Sequence, residues 1–284
     1  ITNVGRAHLQ GFGSFEGVIH TKGELYDFMR ANHGLGNTDN GKTLQGGKAP
    51  LSCVFIDSEN PYLNGIAQGL NLVRYGCKDD NNLCVSGRVD SCSPMLNFTW
   101  RHNEGASVGA PHATQTHLIG EYNITNMLAA VSIGLYFGVP ADNIVKALSA
   151  YVPSNNRSQF EQTADNRLIV DAYNANPTSM AAALRNFADI EATGKMVIIG
   201  DMKELGEVSH DEHQRIVDQL RKMTLDQVWL VGSEFEGCDT PSDFRLFDNV
   251  DKVKEAIAAA KPRGKYILIK GSNGTKLFQL PELL

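Results

Sequence analysis

The sequence has 284 residues, 42% of them hydrophobic and 20% charged, with a formal net charge of −6. That length accommodates two domains with separate cores, and the balance is that of a globular chain rather than a disordered one. The acidic charge excludes a general nucleic-acid binder, which carries a basic face, and no apolar run approaches the roughly 18 residues of a membrane span.

The chain opens Ile1-Thr2-Asn3-Val4-Gly5 without a methionine, which predicts a piece of something longer. In the first half, Lys22 to Ala31 predicts a helix, Cys53 to Ile56 a short strand, and Tyr62 to Tyr75 a second helix. Leu83 to Leu118 reads as β-rich, with alternation at Leu83, Val85 and Val89. Tyr122 to Phe137 predicts a strongly apolar helix and Ala141 to Tyr151 another.

In the second half, apolar runs at Leu168-Ile169-Val170, Met196 to Ile199, Val228 to Val231 and Tyr266 to Ile269 predict buried strands. After the first, Asn176-Pro177 is a polar cap with proline at the first helical position, followed by Met180, Ala183, Leu184 and Phe187 at helical spacing. Ser209 and Glu212 form a capping-box pattern ahead of Ile216, Val217, Leu220 and Met223. A third helix is expected over Val250 to Ala260. Strands alternating with helices imply a parallel sheet with right-handed crossovers. The expected fold class is therefore α/β, with domains at residues 1–152 and 153–284. Each predicted strand runs into a polar or glycine-containing turn: Asp171-Ala172-Tyr173, Gly200-Asp201, Gly232-Ser233 and Gly271-Ser272. Ligands gather outside the carboxyl ends of such strands.

Five cysteines (Cys53, Cys77, Cys84, Cys92 and Cys238) are an odd number without a C-x-x-C pair, which predicts reduced thiols in the cytoplasm. Gly36 to Thr43 matches the phosphate-loop pattern G-x-x-x-x-G-K-[ST] letter for letter. A working loop needs a buried strand before it and a helix after it. Here Tyr26 to Ala31 reads as helix, and Leu44 to Pro50 carries two glycines and a proline. The match predicts a surface insertion rather than a phosphate site.

Three other segments carry more weight. The opening run from Ile1 to Ser14 includes His8, and Lys22 follows it by fourteen residues. Asp171-Ala172-Tyr173-Asn174-Ala175-Asn176-Pro177 and Gly200-Asp201-Met202-Lys203-Glu204-Leu205-Gly206 are the other two. Together they resemble the Mur ligase family, and within it the branch that joins D-alanyl-D-alanine to UDP-N-acetylmuramoyl-tripeptide in cell-wall precursor synthesis. The resemblance implies a partial central ATPase domain followed by a Rossmann-like doubly wound terminal domain. It also implies that the family's phosphate loop, a magnesium-binding glutamate and the domain that grips the UDP sugar lie upstream of Ile1, so that this chain alone is inactive as a ligase.

The family activates a carboxylate as an acyl-phosphate with ATP, and an incoming amine then attacks it. Charge gathers on phosphate oxygens, so magnesium and cationic clamps matter more than a protein nucleophile. By resemblance His8 is a magnesium ligand. Lys22 is the lysine that becomes carbamylated, since a carbamate offers the oxygens that Mg2+ prefers. Asn123 stands in the turn that touches adenine, although Tyr122 replaces the family's histidine beside it. Arg157 reaches the ATP phosphates, Asp171 meets the ribose and Asn174 orients the nucleotide. Asn176, Asp201 and Glu204 face the amino substrate, with Lys270, Gly271 and Ser272 in the last turn. A monomer is expected. Two rival readings share these residues: a neighbouring Mur or folylpolyglutamate-type ligase, against which Tyr173 to Pro177 speaks, and a non-catalytic module that binds a precursor or partner.

Overall fold

A computed structural model describes residues 1–5, 9–33, 53–78, 82–104, 107–153 and 158–284. They form two compact units, one of Ile1–Gly5, Phe12–Thr116 and Glu121–Tyr151, the other built chiefly on Val152–Leu284. All five cysteines are free thiols. No described helix is long and apolar enough to cross a membrane. The phosphate-loop match, Gly36 to Thr43, lies outside the described residues, although the segment expected to be helical before it does belong to a helix, α2 (Phe15–His33), which follows the single turn α1 (Leu9–Phe12).

The sheet of the first unit begins with β1 (Val54–Asp57), β2 (Leu72–Gly76) and β3 (Val85–Cys92), which are parallel. β4 (Met95–Glu104) turns antiparallel to β3 and also pairs with β5 (Ser107–Val108) and β6 (His112–Ile119). The segment expected as one helix from Tyr62 to Tyr75 divides in two. Asn60 caps α3 (Pro61–Ile66) by accepting the Leu63 N–H, and proline starts that helix. Gly65 and Gly69 then weaken helix formation, and Gly69 turns the chain at φ +76°. Beyond it Val73 and Tyr75 alternate into the core as strand β2. Burial at period two overrides the helical pattern there.

α4 (Ile124–Tyr136) lies across β1, β2 and β3, and α5 (Ala141–Ala150) packs beside it. Contact between α4 and β3 depends on Gly87. A Cβ at that position would lie 2.5 Å from Leu128 Cδ2 and 3.3 Å from the Thr99 carbonyl oxygen. On β4, Trp100 is buried, donates its indole N–H to the Thr114 hydroxyl at 3.1 Å, and stacks on His112. Gly87→Ala is expected to overpack this layer and lower the unfolding free energy by about 2 kcal/mol. Urea titration of the two proteins measures the change.

The second unit is a six-stranded sheet in the order β11-β10-β9-β12-β8-β7. β8 (Arg167–Asp171), β9 (Lys195–Gly200), β10 (Gln227–Val231), β11 (Arg245–Phe247) and β12 (Tyr266–Lys270) are parallel, and β7 (Gln159–Gln162) closes one edge antiparallel. Their alternation sorts the core. Leu168, Val170, Met196, Ile198, Trp229, Val231, Ile267 and Ile269 face one side, in one cluster with α8 (Val250–Ala259) and the last turns at Leu277, Leu280 and Leu284. The intervening residues face α6 (Pro177–Asp189) and α7 (Ser209–Leu220), which pack on each other; Phe187 of α6 meets Tyr266 there.

α6 starts as the sequence predicts, with Asn176 and Ser179 forming a reciprocal capping box. The capping box expected from Ser209 and Glu212 does not form. Ser209 is the first residue of α7 and turns its hydroxyl to the Glu234 carboxylate, while Glu212 is buried and pairs with Arg215. A carboxylate takes the Ser209 hydroxyl that would otherwise cap the helix.

Candidate functional site

Because the strands of the second unit run parallel, their carboxyl ends stand in a row. Strand register sets Lys270, the last residue of β12, directly beside Asp171, the last residue of β8. The Lys270 side chain is only 1% exposed; its ammonium donates to Asp171 Oδ2 and, at 3.4 Å, to the Asn174 carbonyl. Asp171 Oδ1 accepts the Ser158 N–H. An ionised carboxylate at a buried strand end is costly unless it is paired and hydrogen-bonded, and here it is both. Asn174 projects into solvent just beyond, and Asn176 caps α6.

β9 ends in a second carboxylate. The Asp201 side chain is 2% exposed, and its Oδ2 accepts from the Lys203 ammonium at 2.8 Å. Its backbone is held on both sides: the N–H donates to Val231 O, and the carbonyl accepts the Ser272 N–H. The Ser272 hydroxyl in turn accepts the Lys203 N–H at 3.0 Å. Gly232, at φ +116°, forms the wall behind this carboxylate, since a Cβ there would lie 2.2 Å from Asp201 Oδ2. Among the described residues, Asp201 Oδ1 has no hydrogen-bond partner. A cavity of about 240 Å³ opens at this point, lined by Asp201, Lys203, Gly232, Asp248, Asn249 and Lys276 among others.

Charge around Asp201 is balanced locally. Burial works against the Lys203 ammonium, but hydrogen bonds and charge from Asp201 and Glu234 outweigh it and raise its pKa. The Ser209 hydroxyl and the Lys203 charge hold the Glu234 carboxyl below its ordinary range. Glu204 takes a left-handed backbone, φ +64°, and stands exposed in the turn after Lys203.

In the first unit, Lys22 lies on α2 and its ammonium donates to the Asn3 carbonyl at 3.1 Å. Asn123 is buried at the turn that leads into α4, where its Oδ1 accepts from the Asn126 amide, and Tyr122 beside it is exposed. His8 and Arg157 lie outside the described residues. Among the described residues, no group of three His, Cys, Asp or Glu side chains could hold a metal ion.

The model for the Mur ligase middle domain matches residues 1–134, and the model for the Mur ligase glutamate ligase domain matches residues 156–273. The chain belongs to the Mur ligase family. The UDP-N-acetylmuramoyl-tripeptide–D-alanyl-D-alanine ligase of Bacillus subtilis is 27% identical over 99% of this chain and 57% of its own length. A crystal structure of MurF from Acinetobacter baumannii, 26% identical, covers 99% of this chain and 57% of that one with a TM-score of 0.74. MurF ligase from Thermotoga maritima, solved in complex with ADP, shares the fold at a TM-score of 0.75 and 19% identity, over 99% of this chain and 60% of that one. This Mur ligase chain thus spans little more than half the length of such relatives. The middle-domain match contains Lys22 and Asn123; the glutamate-ligase-domain match contains Asp171, Asn174, Asn176, Asp201, Glu204 and Lys270.

The two strand-end carboxylates of this Mur ligase, and the Gly232 turn, stand out in the sequence; Lys203, Glu234 and His213 do not. Lys203 lies within the Gly200-to-Gly206 run, two residues after an aspartate, and that spacing is its signal in the sequence. Glu234 and His213 reach the site only through tertiary packing. Replacing Lys270 with methionine leaves the Asp171 carboxylate without its counter-ion, and the expected loss of unfolding free energy is about 3 kcal/mol. Adding Asp171→Leu to that variant is expected to restore most of the loss, as read by guanidinium unfolding.

Proposed function

We propose that this chain supplies the ATP-binding middle domain and the amine-side terminal domain of a cytoplasmic ligase. The ligase joins D-alanyl-D-alanine to UDP-N-acetylmuramoyl-tripeptide during peptidoglycan precursor synthesis. The relatives carrying that name support the choice of reaction, and the Asp171-to-Pro177 and Gly200-to-Gly206 runs support the branch. The enzyme acts as a monomer, with no nucleic acid and no membrane insertion.

One observation carries the assignment of the amine site. Asp201 is a buried carboxylate with one oxygen on Lys203 and the other without a donor among the described residues, at the wall of an open cavity. A buried acceptor without a donor is costly, and a primary ammonium brings three donors. Lys276 and Lys203 line the same cavity and suit the carboxylate at the other end of a short zwitterionic peptide. Asp201 orients the amine, and Gly232 leaves room for that carboxylate to stay in place.

The nucleotide falls to Asp171, Asn174, Asn123 and Arg157. Asp171 uses one oxygen for Lys270 and the other for Ser158, and each carboxylate oxygen keeps lone-pair capacity for a ribose hydroxyl. ATP would supply the phosphoryl group that activates the tripeptide carboxylate as an acyl-phosphate, leaving ADP; the dipeptide amine then attacks the acyl carbon, gives up a proton, and inorganic phosphate departs. Magnesium is assigned to His8 and to Lys22 as its carbamate; the amine of Lys22 donates to Asn3, and carboxylation would replace a donor with the oxygens Mg2+ prefers.

Calorimetric titration with D-alanyl-D-alanine tests the amine site. Asp201→Asn keeps the shape but removes the charge, and the expected weakening is roughly 10-fold or more. Unchanged affinity in a folded Asp201→Asn protein, or a single amino acid bound in preference to the dipeptide, would overturn the assignment.

A further inference from the structure

His213 lies on α7, fully buried, directly behind the turn that carries Asp201. Its Nε2 is 2.9 Å from the Met202 backbone nitrogen, and its Nδ1 is 2.7 Å from the Ser209 carbonyl oxygen. A backbone N–H can only donate and a carbonyl oxygen can only accept. The hydrogen therefore sits on Nδ1, and Nε2 is a bare acceptor. The two neighbours select one neutral tautomer, because an imidazolium would aim a second N–H at the N–H of Met202. The Phe235 ring packs edge-on against the imidazole at 4.8 Å, which limits rotation to another arrangement.

Met202 is the residue between Asp201 and Lys203, so through its N–H a side chain of α7 grips the turn that holds both charges. We infer that neutral His213 is the positioning residue of the amine site, fixing the Asp201–Lys203 turn through Met202 and releasing it on protonation. This rests on the reading of Asp201 as the group that receives the amine of a short peptide.

The charged groups acting on the imidazole are Asp201 and Lys203 from the turn after β9 and Glu234 from the turn after β10. Burial lowers the pKa of His213 from its ordinary 6.5, against the opposing effects of the Ser209 hydrogen bond and of Asp201 and Glu234. A histidine whose folded pKa is depressed binds more protons when unfolded. Its contribution to stability is therefore complete above the ordinary value and is lost as pH falls through the lowered one. The grip on Met202 follows the same course.

Nitrogen-15 spectra of the imidazole test the tautomer without any ligand. The expected signature near neutral pH is a protonated Nδ1 and an unprotonated Nε2 coupled to the Met202 amide. A protonated Nε2 would overturn the inference whatever the substrate is. Dipeptide titrations then separate positioning from simple packing. For the unaltered chain, affinity for D-alanyl-D-alanine is expected to fall roughly 10-fold as the imidazole gains its proton. His213→Gln keeps a neutral acceptor for Met202, so affinity persists while the pH dependence disappears. His213→Leu loses about 10-fold at neutral pH while still showing a cooperative melt. Full affinity in a folded His213→Leu protein, or an unchanged pH profile in His213→Gln, would refute positioning. Failure of the unaltered chain to bind the dipeptide, with the tautomer as expected, would refute the amine-site reading instead and leave the hold on Met202 established.

Discussion

The buried ammonium of Lys270 is the interaction on which the carboxyl edge of the second unit depends. It comes from the last strand of the chain, yet that strand is inserted between β8 and β9 in the middle of the sheet. Lys270 thereby neutralises Asp171 on one side, and two residues later Ser272 binds both the Asp201 carbonyl and the Lys203 N–H on the other. Close packing makes this possible: a Cβ on Gly271 would lie 2.9 Å from the Gly200 Cα. Buried ion pairs are weak sources of net stability compared with apolar residues of the same shape. What this one does is hold the Asp171 carboxylate at the carboxyl edge, beside the last residue of β12.

The strands that were plain in the sequence share one property: β8, β9, β10 and β12 are covered on both faces, so their residues are apolar almost without interruption. β7, Gln159 to Gln162, and β11, Arg245 to Phe247, left no such run because they are short edge strands with polar or partly exposed residues. Tyr62 to Tyr75 misled for a different reason. Its apolar spacing fits both periods, and the glycine at position 69 that separates helix from strand acts through a backbone angle that hydrophobic pattern does not encode.

Much the same division holds at the site. Asp171 and Asp201 were visible because a charged residue directly after a buried strand is conspicuous. Lys203, Glu234 and His213 were not, since each becomes meaningful only when the turns after β9 and β10 are brought against the start of α7. Ser209 illustrates the limit: its sequence pattern is a good helix cap, and its hydroxyl goes to a carboxylate 25 residues away. The family resemblance added roles for Lys22 and Asn123 that their own surroundings do not announce, one being a lysine on a helix and the other an asparagine beneath one.

The sheet of the second unit is finished at both margins in a way that bears on how the protein behaves when concentrated. Its outermost strands offer at most four residues of backbone apiece, and β7 carries glutamine, glutamate and glutamine along that length. At the opposite margin the Arg245 guanidinium lies over the rings of Trp229 and Phe247, at 4.8 and 4.9 Å from their centroids. A second molecule seeking to extend the ladder would meet short, charged borders rather than a long apolar template. The domain can therefore keep an interior of largely apolar parallel strands without inviting edge-to-edge growth into fibres.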